Sequence, residues 1–93
     1  MIDHLTPLAV CERLIGPKPE LERIAGYRPK AAYGWERSAR TRAGGGLPPR
    51  AQQAILKHIR EQRLPIPADW LIEGATLKEV YQVLDEIKRR PAA

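Results

Sequence analysis

The stretch AGYRPKAAYGWERSARTR, residues 25–42, decides how this chain reads. A glycine, Gly26, closes one short apolar segment, and three residues later Pro29 opens another. Glycine takes up a left-handed backbone with no Cβ to clash, and proline has φ already set for a first helical turn. The spacing therefore predicts two short helices, over 19–25 and 29–37, joined by a tight turn at Gly26-Tyr27-Arg28. In the first, Leu21, Ile24 and Ala25 are expected inward, with Glu20, Glu22 and Arg23 outward. In the second, Ala32 and Trp35 are expected inward. Two helices meeting this way form a helix–turn–helix, which projects its second helix into a DNA major groove.

Charge points the same way. The 93 residues carry a net +5. Between 28 and 50 lie Arg28, Lys30, Arg37, Arg40, Arg42 and Arg50 against the single anion Glu36. The rest of the chain holds ten cations and ten anions and is neutral. Positive charge concentrated on a neutral background suits a polyanionic partner. The loop SARTRAGGGLPP, residues 38–49, has three consecutive glycines and cannot be a helix or strand interior; it reads as a mobile basic loop whose Arg40 and Arg42 are either solvated or touch phosphates.

Outward from this centre the chain reads as helical, with no strand. Thr6 caps a helix over 7–15 whose first position is Pro7 and whose stripe is Leu8, Cys11, Leu14 and Ile15. Gly16 is expected to end it in the left-handed conformation. A fourth helix covers 49–62, with Ala51, Ala54, Ile55, His58 and Ile59 inward. LPIPADWLIEG is an irregular connection whose Trp70, Leu71 and Ile72 fold back on the core. Thr76 and Glu79 have the spacing of a capping box, opening a last helix striped by Leu77, Val80, Tyr81, Leu84 and Ile87 and stopped by Pro91. The fold class is all-α: a compact five-helix domain with a helix–turn–helix, λ-repressor-like, and an amphipathic C-terminal helix.

The run Ala25-Gly26-Tyr27-Arg28-Pro29-Lys30-Ala31-Ala32-Tyr33-Gly34-Trp35 resembles the helix–turn–helix of Cro-like and YdaS-like phage or prophage regulators. Leu47-Pro48 and Ile66-Pro67-Ala68-Asp69-Trp70-Leu71-Ile72 are similar to the tail of such proteins, extending the resemblance over residues 5–74. It implies that Arg28, Pro29, Lys30, Tyr33 and Arg37 lie at DNA, that Ala31 packs on the preceding helix, and that Trp35 anchors the reading helix in the core. Arg40, Arg42 and Arg50 would grip the backbone. Two departures stand out. Arg28 replaces the usual Ser/Thr cap, and Gly34 replaces a polar reading residue, so Lys30 and Tyr33 carry the base contacts.

Other chemistries find no support. His4, Cys11 and His58 lie on separate segments and make no metal set. Cys11 sits on an apolar stripe as a small core residue, and GGGLP lacks both the preceding strand and the lysine of a phosphate loop. The expectation is a protein without catalysis, cofactor or metal. One cysteine and no membrane-length apolar run suggest a cytoplasmic protein. Residues 75–91 form a separate C-terminal element. Its stripe of Leu77, Val80, Tyr81, Leu84 and Ile87 either caps the core or pairs with a second copy, and a homodimer would place two reading helices on an inverted-repeat operator. Alternatives in the same material are an antitoxin that binds DNA and a toxin, and a module for an acidic protein or RNA.

Overall fold

In the computed structural model, residues 4–37 and 46–90 are described, the side chains of Glu36 and Arg37 excepted. Among them are six helices and a minimal sheet. The order is β1 (His4–Leu5), α1 (Pro7–Leu14), α2 (Lys18–Ala25), α3 (Ala31–Arg37), α4 (Pro49–Gln62), α5 (Trp70–Glu73), β2 (Ala75–Thr76) and α6 (Leu77–Lys88). The expectation of five helices and no strand is corrected on both counts. The stretch expected to be irregular contains a single helical turn, α5, closed by the bond from the Gly74 N–H to the Trp70 carbonyl at 3.0 Å. The two strands pair antiparallel, His4 with Thr76 and Leu5 with Ala75. They tie the start of α1 to the start of α6.

Gly74 explains why these ends can meet. Its backbone (φ 77°, ψ −163°) lies in a region open essentially to glycine alone. A Cβ there would stand 1.9 Å from the Leu5 carbonyl oxygen. Only a residue without a side chain lets β1 pass this close.

The helix starts follow their caps. Thr6 Oγ1 accepts the Ala9 N–H at 3.2 Å, with Pro7 in the first turn. Thr76 and Glu79 close a reciprocal box: the Glu79 N–H reaches Thr76 Oγ1 at 3.2 Å, and the Thr76 N–H reaches Glu79 Oε1 at 3.1 Å. The backbone N–H of Thr76, and then its hydroxyl, hold the Glu79 carboxyl below its ordinary range. Gly26 ends α2 in the left-handed conformation, φ 73°, while the Tyr27 N–H returns to the Glu22 carbonyl at 2.9 Å. Gly16 does not act this way. α1 ends at a right-handed cap on Ile15, and Gly16 instead lets the Glu20 side chain approach.

One apolar core joins the helices. Leu8, Val10, Cys11, Leu21, Leu47, Ile55 and Val80 are its largest fully buried side chains, with Trp35 and Leu71 beside them. α1 packs on α5 and α6, while α2 lies between α3 and α4. Burial, reinforced by the charge on Glu12, pushes the Cys11 thiol up to about 12, so it stays protonated as a small apolar filler. Leu71 turns inward as expected, but Ile72 does not; it is 69% exposed. A single turn presents only one face to the core, and Leu71 occupies it. The radius of gyration, 12.8 Å, is close to the ~12 Å of a compact chain of this length. No helix among the described residues is long and apolar enough to cross a membrane.

Candidate nucleic-acid interface

The connection between α2 and α3 sets the site. Pro29 does not begin the helix, as the sequence suggests, because Lys30 adopts φ 73° and interrupts it. α3 begins at Ala31, two residues beyond Pro29. The Ala31 N–H closes a turn onto the Arg28 carbonyl at 3.1 Å, and the Tyr33 N–H bonds the Lys30 carbonyl at 3.2 Å. Left-handed backbone in a residue with a Cβ is strained by about 1–2 kcal/mol. That strain sits at the residue expected to read DNA.

α3 has no Ser, Thr, Asp or Asn immediately before it, so its first N–H groups need another acceptor. Glu22 provides one from α2. Its Oε2 accepts the Ala32 N–H at 2.9 Å, and the residue is only 4% exposed. The expectation that Glu22 faces outward is therefore corrected. It lies at the edge of the Leu21–Ala25 stripe, and the uncapped start of α3 draws it inward. A carboxylate at a helix N-terminus is also favoured by the helix dipole. This contact locks α3 to α2.

Aromatic packing fixes the other side. Trp35 is 5% exposed, and Tyr27 meets it edge-on with centroids 5.1 Å apart and planes at 86°. The Arg50 guanidinium lies 5.5 Å over the Tyr27 ring, bringing the first turn of α4 to the α2–α3 turn. Ala32, expected inward, is fully buried, while Ala31, expected to pack on the preceding helix, is half-buried.

Arg28, Pro29, Lys30, Tyr33 and Gly34 are all exposed along this edge, Tyr33 at 49%. A Cβ on Gly34 would meet nothing within 4 Å, so no packing requires glycine there. Arg50, exposed at the start of α4, joins them through Tyr27. Arg37 contributes backbone to α3, while its side chain, and all of Arg40 and Arg42, fall outside the described residues. The structure thus gathers Arg28, Lys30, Tyr33 and Arg50 on a braced support. Two residues of that support, Glu22 and Tyr27, have no functional role legible in the sequence. The signal for Glu22 is the missing cap before α3; no spacing rule announces Tyr27.

The C-terminal stripe, expected either to cap the core or to pair with a second copy, divides between core and surface. Val80 is fully buried in the chain's own core, and Val83, Leu84 and Ile87 pack half-buried against it. Val80 thus belongs to the chain's own core, on the helix that packs against α1. Tyr81 stays 52% exposed, with the Arg13 guanidinium 6.0 Å over its ring. Leu77 and Tyr81 line a shallow groove with Lys78, Gln82 and Asp85. No protein-family model, curated protein or solved structure matches this chain.

Proposed function

We propose that the chain is a double-stranded-DNA-binding transcriptional regulator, built like the Cro-like and YdaS-like phage or prophage regulators that its sequence resembles. In this reading α2, the turn over 26–30 and α3 are a helix–turn–helix. α3 enters the major groove by its N-terminal end. Lys30 and Tyr33 meet base edges, while Arg28 and Arg50 contact phosphates on either side. Binding does the work without chemistry, and repression follows from occluding polymerase at the bound site. Copies on half-sites one DNA turn apart would stand roughly 34 Å from each other.

The observation that carries the proposal is a contrast on one short helix. Trp35 and Ala32 are buried and the N-terminus is held by Glu22, while Lys30 and Tyr33 at the same end face solvent. Rigid placement with exposed polar and cationic tips is what base reading needs. The lack of a Ser/Thr cap before α3, a departure from the family pattern, is compensated by Glu22.

Selection from a randomised duplex pool tests this and requires no operator sequence to start from. Successive rounds should enrich a common motif, and binding should weaken steeply with salt, log K falling by ~0.9 per phosphate neutralised. Failure to enrich any sequence, with binding to random duplex retained, would contradict specific regulation. Retention of RNA or an acidic protein in preference to duplex would contradict the DNA reading altogether.

A further inference from the structure

Lys18 begins α2, away from the basic block that sequence inspection favours, yet its side chain is only 15% exposed. Glu12 and Tyr33 hold it there. Its ammonium lies 3.0 Å from Glu12 Oε2 on α1, and 5.2 Å over the ring of Tyr33 on α3. Three helices are joined through one nitrogen. Tyr33 is otherwise a half-exposed aromatic on the third residue of α3, with open solvent on its outer side. A cation over the ring face favours one ring placement, and the carboxylate behind it keeps the cation from swinging out to water.

We infer that Lys18, backed by Glu12, is a positioning residue that fixes the Tyr33 ring for reading bases. The inference rests on the proposed DNA reading and deepens it by naming what sets specificity. Lys18 differs in role from Arg28 and Arg50. Those side chains stand on the exposed edge and serve phosphates of any sequence, whereas Lys18 is turned toward Tyr33. Its effect therefore falls on discrimination between duplexes and not on general affinity.

The test compares Lys18→Met, Lys18→Arg and Tyr33→Ala on a selected duplex and on random duplex, with full-length protein. Lys18→Met keeps the stem and removes the cation. It should cut discrimination about fivefold, the weight of one half-exposed cation–π contact. Affinity for random duplex and the salt slope should be unchanged. Lys18→Arg should restore most of the loss, and Lys18→Met should cost nothing further in a Tyr33→Ala background. In free protein, the Tyr33 ring proton resonances should move toward unstructured values in Lys18→Met. Equal losses on both duplexes, with a shallower salt slope, would make Lys18 a phosphate contact and overturn the inference. So would unmoved Tyr33 resonances, or discrimination intact in Lys18→Met. A wild-type protein that prefers no duplex over random overturns specific regulation and the inference with it.

Discussion

Lys30→Gly separates stability from binding at one backbone position. Lys30 sits at φ 73°, where a residue with a Cβ bears about 1–2 kcal/mol of strain. Glycine removes that strain but brings about 0.5–1 kcal/mol of extra chain entropy to be lost on folding. The net should be a gain of about 0.5–1 kcal/mol, or a melting temperature higher by about 2–8 °C in a domain of this size. The same change deletes an exposed ammonium from the proposed reading edge, and affinity for the selected duplex should fall about tenfold. Arg63→Gly is the matched control. Arg63 also holds a left-handed backbone, φ 54°, at the C-cap of α4, where its N–H bonds the Arg60 carbonyl at 3.2 Å. It should bring a similar gain in stability with duplex affinity unchanged. Thermal melts and fluorescence anisotropy on both variants read the two effects. A Lys30→Gly protein that binds as tightly as wild type would refute the idea that the strained position is kept for its side chain. A control that gains stability while Lys30→Gly does not would refute the strain itself.

Three further perturbations bear on the support. Glu22→Ala leaves the Ala32 N–H without its acceptor and should cost about 2–3 kcal/mol in urea unfolding, whereas Glu22→Gln, which keeps an oxygen, should cost about 1 kcal/mol. Gly74→Ala drives a Cβ into the Leu5 carbonyl and forces glycine-only backbone on alanine; a loss above about 3 kcal/mol is expected, with amide exchange at the β1–β2 pair accelerated first. Acid sensitivity should trace partly to Glu79. Its carboxyl is lowered from 4.5 by the Thr76 N–H, so its contribution is complete above that value and is lost as pH falls below it. Glu79→Gln should flatten the acid limb of the melting curve only in part. Glu20, lowered by its hydrogen bond from Arg23, titrates in the same direction.

Helix-forming signals with a strong local cause were legible in the sequence. Thr6 before Pro7, Gly26 after Ala25 and the Thr76–Glu79 box each act within one turn, and each does in the structure what its spacing predicts. Features set by distant partners were not legible. Pro29 signals a helix start, yet the acceptor that organises that start belongs to Glu22, ten residues before the Ala32 N–H it holds. Strands of two residues carry no alternation to detect, and the pairing of His4 with Thr76 depends on Gly74 being bare. The stripe on α6 was visible, but its destination was not. Periodicity shows that Val80 seeks cover without saying that the chain's own core supplies it. At the candidate interface the exposed tips were legible as a basic and aromatic cluster. Their supports, Glu22, Tyr27 and Lys18, act through tertiary contacts and became visible only with the fold.

Backbone amide shifts followed during titration with a short random duplex at low salt address the central claim most directly, since nonspecific contact with duplex uses the same charged face. The largest changes should map to Arg28, Lys30, Tyr33, Gly34 and Arg50, and should collapse as salt is added. Changes confined to α5 and α6, or none along the start of α3, would contradict the account.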